Sequence, residues 1–470
     1  MGNIQQRDEQ KLKENRSENQ VGQKELIKHD RNVNQLNQVE LLAPAGNLEK
    51  LKLAILYGAD AVYCGGHSYG LREGADNFTL EELEEAVEFV HSHDAKIYIT
   101  VNMIPHNEDL EGLAEYLQQL ASINVDSLIV SDPGIISIIK EEGINTPVHL
   151  STQANAVNWA SIRFWKKQGV ERVILARELS RKEILEIKEK TDIELEMFIH
   201  GSMCISYSGR CLLSNYMTGR DANRGKCAHS CRWKYHLVEE QRPGEYYPIY
   251  EDDQGTYIMN SKDLCLIEYI PEIIEAGISS LKIEGRMKSL HYVATVTSVY
   301  RKAIDSYYRD PDNYQFKEEW LEELRKVSHR DYITGFFLSP PGTEEHNYDS
   351  SAYQRNYDFM GVVRDFIPFE DVEKAAVQQK LRTGNQDSTE HGSAVIGHAV
   401  VEVRHKFFRG DVIEIMGPDI DSFEINLDYI INKHGEYVND APHPRELIKI
   451  PVDRIVKPYY LLRREKLNNA

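Results

Sequence analysis

The sequence predicts an α/β protein, a (β/α)8 TIM-like barrel with a cysteine-rich insertion, followed by a small C-terminal antiparallel β-domain. Eight short apolar or β-branched runs alternate with helical periods from Val39 onward, as in a parallel α/β fold. No G-x-G-x-x-G or G-x-x-x-x-G-K-S/T loop follows these runs, so a nucleotide-binding open sheet loses its main support. From about Tyr353 the pattern changes to strand-like pieces separated by Gly, Asp and Pro turns.

Residues 1–38 are polar and nearly free of aromatic residues, so we expect a disordered tail. The barrel is predicted for residues 39–310, with the insertion at 201–265. Thr79 and Ser180 each begin a capping-box sequence before an apolar run, which predicts a helix start at both. The predicted strands are Glu40–Ala43, Ala61–Cys64, Lys96–Val101, Ser127–Val130, Val148–Ser151, Arg172–Ala176, Glu194–Ile199 and Ser280–Ile283.

The last barrel helix is predicted around Tyr292–Tyr308. Residues 311–352 are predicted to be a helical connector with an acidic helix around Lys317–Val327. Residues 353–470 are the predicted C-terminal β-barrel-like domain. Its expected strands are Met360–Val363, Ala394–Val403, Asp411–Ile415, Ser422–Leu427 and Arg454–Pro458.

The chain has 470 residues and a formal net charge of −20, which argues against a protein that coats nucleic acid through a positive surface. No apolar run approaches the roughly 20 residues that span a bilayer, and the N-terminus lacks an apolar signal segment. We therefore expect a cytoplasmic protein without a membrane partner. In that reducing compartment, clustered cysteines are more often metal ligands or catalytic thiols than disulfides.

Polar residues recur where the predicted strands end, the face of a barrel that carries the active site. Each alone is more often a cap or turn former, but together they predict a polar pocket. His200 could be a base, a hydrogen-bond donor or a ligand, or be held by a backbone carbonyl. Glu284 and Arg286 flank a glycine and could act on substrate or form a structural ion pair. The other strand-end candidates, for substrate binding, are Asn102, Gln153 and Arg177.

Five of the six cysteines lie between Cys204 and Cys265 in a polar, glycine-containing stretch. Thiols there would bury little surface, so we favour their convergence on a metal or iron–sulfur centre. The spacing matches neither a zinc ribbon nor a ferredoxin, and thiolates suit zinc and iron–sulfur clusters equally. Four ligand places leave one cysteine spare, either Cys231 or Cys265. Cys64, in an apolar strand, is expected in the core.

Residues 202–234 form a basic island on this acidic chain, with Asp221 as its one acid. Such an island suits an anionic substrate, RNA phosphates or the charge of a thiolate-bound cluster. Arginines on a solvated loop would have the same composition. The basic residues are Arg210, Arg220, Arg224, Lys226, Arg232 and Lys234.

Several motifs, in this order, resemble those of the collagenase-like "unassigned" peptidase family. The matching segments are Leu41–Gly46, Gly58–Gly66, Glu196–Ser214, Asn223–Trp233 and Lys282–Lys288. Within that family, the Arg220–Gly225 and Cys231–Tyr235 segments are similar to those of the bacterial tRNA hydroxylation proteins, which make 5-hydroxyuridine at the wobble position.

The resemblance implies a prephenate-dependent hydroxylation of tRNA, with prephenate and tRNA as partners and a paralogous or electron-donor protein as a further one. It also implies a four-cysteine iron–sulfur cluster of the 4Fe-4S type. Carried onto this chain, the ligands match Cys204, Cys211, Cys227 and Cys265, which leaves Cys231 spare. Arg210, Arg220, Arg224 and Arg232 would bind the carboxylates of prephenate or tRNA phosphates.

Two other functions remain open at this point. Proteolysis, which the family name suggests, needs an activated nucleophile or a metal-bound water. The chain has no H-E-x-x-H motif, and the remaining candidate pair is Cys231 with His229, which would not face each other on a helix. The third possibility is an RNA-binding factor that carries a cluster and has no catalytic activity of its own.

Overall fold

The computed structural model describes residues 38–67, 69–70, 77–203, 210–211, 213–224, 226–228, 230, 237–238, 246–247, 250–252, 255–257, 262–338, 353–369 and 395–466. For Tyr216, Arg224 and residues 237–257 the description covers the backbone alone. The predicted tail at 1–38 therefore lies outside the described residues except for its last position. Cys204, Cys231 and Arg232 also lie outside them.

Eight parallel strands close into a barrel, because the eighth strand pairs with both the first and the seventh. This confirms the predicted fold class. Most boundaries agree with the sequence prediction, and the seventh strand runs three residues further. The barrel strands are Glu40–Pro44, Ala61–Cys64, Lys96–Val101, Ser127–Val130, Val148–Leu150, Arg172–Ile174, Glu194–Ser202 and Ser280–Ile283.

The barrel helices bury one apolar face each, and six of the eight begin at a side-chain cap, whereas those that begin at Leu113 and Ile270 have none. Capping boxes are present at Thr79 and Ser180, as predicted. The final helix buries residues along most of its length, since both the barrel and the C-terminal domain pack on it. These helices are Leu48–Leu56, Leu80–His91, Leu113–Ser122, Pro133–Glu141, Trp159–Lys167, Arg181–Lys190, Ile270–Glu275 and Leu290–Arg309.

Charged side chains fill part of the barrel interior. Lys282 Nζ donates to Glu196 Oε1 at 2.8 Å, and both side chains are buried. Tyr98 donates to Glu40 Oε2 at 2.6 Å. Burial pushes the pKa of Glu40 upward, but the neighbouring Arg172 guanidinium and hydrogen bonds from Tyr98 and Ser280 together more than offset this and hold that pKa below its usual value. Buried charges are tolerated only when paired in this way, so the network fixes the interior of the barrel.

A β-bulge near the end of the seventh strand changes which side its residues face. Lys282 is paired with Phe198, but the next residue, Ile283, is paired with His200, so Ile199 is the extra residue. Glu196 and Phe198 face the interior, whereas His200 contacts the helix Leu290–Arg309. The bulge therefore turns His200 out of the barrel.

Two further strands extend the barrel sheet beyond the seventh strand. Asp263–Cys265 runs antiparallel to the end of that strand, and Tyr332–Ile333 runs parallel to Asp263–Cys265. The segment predicted as a helical connector thus contributes a strand as well as the helix Glu318–Arg325 and the 3-10 turn Pro311–Asn313.

The C-terminal domain is an antiparallel sheet over its own apolar core, as predicted. The predicted strand at Arg454–Pro458 is wrong: the proline has no N–H to donate, and Tyr459 adopts a φ of 69°, so the chain turns before Leu461. The sheet consists of Tyr357–Pro368, Gly397–Val403, Val412–Gly417, Ile420–Asn426, Ile430–Ile431, Tyr437–Val438, Leu447–Val452 and Leu461–Glu465, beside the short pair Phe407–Phe408 and Asp440–Ala441.

The C-terminal domain packs directly on the barrel helices. A shared apolar cluster includes Tyr57 from the barrel and Met416 and Leu461 from the C-terminal sheet. The Tyr57 hydroxyl lies 3.2 Å from the Met416 carbonyl oxygen and 3.1 Å from that of Tyr459. Among the helices described, none has the length and apolar character that a bilayer crossing requires.

Candidate active site

Glu284 follows the eighth strand and stands at the mouth of the barrel. Its side chain is 21% exposed, and its Oε2 lies 3.8 Å from Nη2 of Arg177, which follows the sixth strand. The Tyr63 hydroxyl, from the second strand, lies 3.4 Å from the same oxygen. The structure thus brings the predicted residues Glu284 and Arg177 together and adds Tyr63 to them.

Aromatic rings hold the cations of the mouth in place. The Arg177 guanidinium stacks 3.8 Å above the Phe198 ring and is 11% exposed. Lys282 Nζ lies 4.2 Å from the centre of the Tyr63 ring and 5.5 Å from that of Phe198. The mouth is therefore a preorganised set of charges on aromatic walls, with Arg177 as the cation that reaches the Glu284 carboxylate.

Arg286 is buried beside the third strand. It donates to Thr100 Oγ1 at 3.2 Å and to Asn77 Oδ1 at 2.8 Å. A Cβ on Gly65 would lie 2.4 Å from the Arg286 guanidinium, and one on Gly46 would lie 2.2 Å from its carbonyl oxygen. Because these two glycines lack a Cβ, Arg286 has room to pack between the strands. Arg286 therefore forms part of the barrel wall.

Asn102 and Gln153 lie at the ends of the third and fifth strands and meet around one serine. Asn102 Nδ2 donates to Ser151 Oγ at 3.3 Å, and the Gln153 backbone N–H donates to the same oxygen at 3.4 Å. Oδ1 of Asn102 and Oε1 of Gln153 are buried and accept no hydrogen bond from the part of the chain that the structure describes. Buried acceptors of this kind need a donor, which a bound ligand can supply.

His200 lies outside the mouth, in a dry aromatic layer. Its ring centre lies 5.9, 5.5 and 5.4 Å from those of Tyr292, Tyr300 and Tyr332. Its Nδ1 lies 3.3 Å from the Tyr300 hydroxyl. Burial lowers the pKa of His200 to about 3, so the ring is neutral at physiological pH.

The described part of the insertion is tied together around Cys211 and Cys227. Asn223 Oδ1 accepts from the Cys211 backbone N–H, and Asn223 Nδ2 donates to the Cys211 carbonyl, both at 3.2 Å. Ser214 donates to the Arg220 carbonyl at 2.7 Å and accepts from the backbone N–H of Ala228, the residue after Cys227, at 2.9 Å. Both thiols are half-buried. The sequence between the two cysteines thus supplies the hydrogen bonds that frame them.

Two contacts connect this frame to the barrel rim. Arg210 Nε donates to the Gln153 carbonyl at 3.0 Å, and the Ile104 N–H donates to the Asn223 carbonyl at 3.1 Å. The side chains of Arg210, Arg220 and Lys226 are exposed. The described part of the basic island therefore lies beside the mouth. Of the predicted anion-binding arginines, the Arg224 side chain and Arg232 lie outside the described residues.

Cys265 has a different setting from the other two described candidate ligands. It is buried opposite His200, and its Sγ lies 3.8 Å from the Tyr300 hydroxyl. Burial raises the pKa of the Cys265 thiol to about 12 and that of the Cys64 thiol to about 12, and Cys64 lies in the core as expected. In the part of the chain that the structure describes, no three His, Cys, Asp or Glu side chains are grouped to hold a metal ion.

Sequence reasoning missed Tyr63, Phe198 and Lys282 at the mouth. All three lie within strands, and Tyr63 and Phe198 look like core residues in an apolar run. A signal was present for Lys282, because it lies two residues before Glu284 and so faces the same side of the strand. A lysine in a strand that is buried on both faces is unusual enough to mark the interior.

Family models match most of the chain. The model for peptidase family U32 matches residues 46–347, and that for the peptidase family U32 C-terminal domain matches residues 388–463. The chain belongs to peptidase family U32. The U32 match includes every strand-end residue of the mouth and the whole cysteine-rich insertion.

The relatives of this U32 protein include proteins named for RNA hydroxylation. It is 48% identical over 423 residues to tRNA hydroxylation protein P1 of Bacillus subtilis, covering 90% of this chain and 94% of the relative. It is 37% identical to tRNA hydroxylation protein P of Escherichia coli, covering 89% and 95%. It is also 37% identical to the 23S rRNA 5-hydroxycytidine C2501 synthase of Escherichia coli, covering 56% of this chain and 39% of that one.

Proposed function

We propose that this protein hydroxylates tRNA, converting the wobble uridine to 5-hydroxyuridine with prephenate as co-substrate and a 4Fe-4S cluster as cofactor. The 48% identity to a tRNA hydroxylation protein over 90% of the chain carries the proposal. The similarity to a 5-hydroxycytidine synthase supports pyrimidine hydroxylation as the shared chemistry.

The mouth offers groups suited to a pyrimidine. An enzyme that modifies a base in RNA takes the base out of its stack into a pocket and reads its Watson–Crick edge. Uracil carries an N3–H donor, and the acceptor oxygens of Asn102 and Gln153 have no partner among the described residues. Glu284 would accept a proton during the reaction, with Arg177 beside it to stabilise negative charge.

The basic island supports contact with the anionic partners. Arg210 is anchored by its Nε at the rim, which leaves the rest of its guanidinium for phosphate or carboxylate. Arg220, Arg224, Lys226 and Arg232 belong to the same segment of a chain whose net charge is −20. RNA binding concentrated on this island would explain how an acidic protein acts on tRNA.

We propose Cys204, Cys211, Cys227 and Cys265 as the cluster ligands, following the family pattern. The half-buried thiols of Cys211 and Cys227, framed beside a basic rim, fit the binding of an anionic thiolate cluster. When bound, the cluster would supply electron transfer or a Lewis-acidic iron. Cys265 fits less well, because its thiol is buried against Tyr300.

Iron and sulfide analysis of anaerobically purified variants tests the ligand set. Cys211→Ser, Cys227→Ser and Cys265→Ser should each lose iron, whereas Cys64→Ala, in the core, should retain it. If Cys265→Ser retains iron and Cys231→Ser loses it, the fourth cluster ligand is Cys231 and not Cys265. Iron-free wild-type protein after anaerobic purification would contradict the cluster.

Nucleoside analysis tests the proposed reaction. The chain would be expressed in a Bacillus subtilis strain that lacks tRNA hydroxylation protein P1 and the second relative in that organism, tRNA hydroxylation protein P2, which is 37% identical to this chain over 287 residues. Digested tRNA would be examined by mass spectrometry. We expect 5-hydroxyuridine or its derivatives to return, and to fall when prephenate synthesis is blocked. Normal expression without any hydroxylated uridine would contradict the proposal. Hydroxylation that does not depend on prephenate would contradict prephenate as co-substrate and leave tRNA as the substrate.

The alternative functions receive less support. A cysteine peptidase needs a reactive thiolate: burial raises the pKa of the Cys64 and Cys265 thiols to about 12, and the candidate pair of Cys231 with His229 lies outside the described residues. A non-catalytic RNA-binding factor has no need for the paired Glu284 and Arg177 at the mouth. Hydroxylation of tRNA by the purified chain with prephenate would distinguish an enzyme from such a factor.

A further inference from the structure

Tyr63 has two acceptors for one hydrogen. Its hydroxyl lies 3.0 Å from the Ile283 carbonyl oxygen and 3.4 Å from Glu284 Oε2. A phenol carries a single O–H and can accept through its oxygen. It therefore donates to one of these two partners at a time, and the shorter distance indicates the Ile283 carbonyl in this structure.

This arrangement suits a carboxyl group that changes its protonation state. When Glu284 is ionised, Tyr63 can turn its hydrogen to the carboxylate in a charge-assisted hydrogen bond. When Glu284 carries a proton, Tyr63 can donate to the Ile283 carbonyl and accept from the new carboxyl O–H. Either state keeps Glu284 hydrogen-bonded, so neither leaves the group without a partner.

Lys282 supports this arrangement from the interior of the barrel, where its ammonium lies beside the Tyr63 ring. Its ammonium lies 4.2 Å from the centre of the Tyr63 ring and is paired with the buried Glu196 at 2.8 Å. A cation at a phenol ring withdraws electron density and makes the hydroxyl a better donor. Lys282 itself is fixed by Glu196, so the ring and hydroxyl of Tyr63 have a defined position beneath Glu284.

We propose that Tyr63 is a positioning residue for Glu284, with a hydroxyl hydrogen that alternates between the Glu284 carboxylate and the Ile283 carbonyl as Glu284 loses and gains a proton. The step transfers one proton and no electrons: an O–H bond forms at Glu284 as a C–H or O–H bond of the substrate breaks, and the proton then leaves to water. The inference rests on the proposed function, since it needs a reaction at the mouth. Catalytic hydrogen bonds often shorten when substrate binds, which would bring the 3.4 Å contact into range.

The Tyr63→Phe variant removes the hydroxyl and keeps the ring on which the Lys282 ammonium rests. We expect kcat for tRNA hydroxylation to fall about tenfold, with KM for tRNA within about twofold of wild type. We also expect the acid limb of the pH profile to move up by about one pH unit, because a lost donor disfavours the ionised carboxylate. Tyr332→Phe is the matched control, since its hydroxyl donates to the Leu324 carbonyl away from the mouth, and it should leave the profile unchanged.

A second measurement does not depend on turnover. Infrared difference spectra between wild type and Glu284→Gln report the protonation of Glu284, and the same comparison made in the Tyr63→Phe background should show a midpoint about one pH unit higher. An unchanged midpoint, or a Tyr63→Phe enzyme with wild-type kcat and pH profile, would overturn the inference. Absence of hydroxylation by wild type, together with the shifted midpoint, would instead overturn the proposed function and leave the coupling of Tyr63 to Glu284 intact.

Discussion

The barrel mouth and the aromatic layer around His200 both contain titratable side chains, but the mouth exposes them and the layer buries them. At the mouth, Glu284 and Arg177 are partly exposed and close to each other. In the layer, His200 and Tyr300 are buried, and burial lowers the pKa of His200 to about 3 and raises that of Tyr300 well above its usual value. The mouth presents charged groups to solvent, whereas the layer holds neutral rings in a packed core.

One residue separates the two regions along the seventh strand. Phe198 supports Arg177 inside the mouth, and His200, two positions later, faces the helix Leu290–Arg309 because Ile199 forms a bulge. A regular strand would have placed both side chains on the same face. A position at the end of a barrel strand therefore does not by itself place a residue in the active site.

The largest effect should follow from the loss of Arg177. Arg177→Ala removes the guanidinium that stacks on Phe198 and lies beside Glu284, so we expect tRNA hydroxylation to fall about 100-fold or more. The melting temperature is measured alongside activity, because the Arg177 side chain is only 11% exposed and its removal from the Phe198 ring loses packing as well as charge. Arg163→Ala, on the exposed helix Trp159–Lys167, is the control and should keep full activity. Activity near that of wild type would remove Arg177 from the site.

The next effect should appear in stability and leave catalysis alone. The pKa of His200 is about 3 when folded and about 6.5 in an unfolded chain, so its neutral ring contributes stability above pH 6.5 that is lost as pH falls toward 3. Between pH 7.5 and pH 5, wild type should lose about 2 kcal/mol more free energy of unfolding than His200→Phe.

Denaturant unfolding at the two pH values measures this difference. The other buried histidines are present in both proteins and cancel in the comparison. Parallel losses for the two proteins would show that His200 is accessible to protons in the folded state. In that case the layer would not hold His200 neutral, and it would no longer differ from the mouth in this respect.

The smallest effect should come from the amides at the rim. Asn102→Ala and Gln153→Ala each remove a buried acceptor, and we expect KM for tRNA to rise about tenfold with kcat changed less. Gln168→Ala is the control, because its amide lies at an exposed helix end and accepts from Lys140. Unchanged KM in both rim variants would assign the two amides to the barrel wall.

The sequence predicted the fold closely because local signals agree with one another. Apolar runs defined the strands, and Thr79 and Ser180 defined helix starts through hydrogen bonds that span three residues. The predicted strand at Arg454–Pro458 failed because proline and a left-handed Tyr459 turn the chain there. This turn depends on the backbone conformation of one residue, which the spacing of apolar residues does not reveal.

The candidate site was less predictable because its geometry depends on contacts between distant residues. Strand ends identified Glu284 and Arg177, but the bulge at Ile199 that moves His200 cannot be read from residue types. Tyr63 was hidden in an apolar strand, where its ring looks like core. Its proximity to Glu284 and Arg177 follows only from the closed barrel, which brings the second, sixth and eighth strands around one mouth.

Nucleoside mass spectrometry of tRNA from cells that express Glu284→Gln or His200→Phe, at matched protein levels, tests whether the reaction takes place at the mouth. We expect Glu284→Gln to lower 5-hydroxyuridine about 100-fold and His200→Phe to leave it near the wild-type amount. Full hydroxylation with Glu284→Gln, or its loss with a folded His200→Phe protein, would contradict the assignment of the chemistry to the mouth.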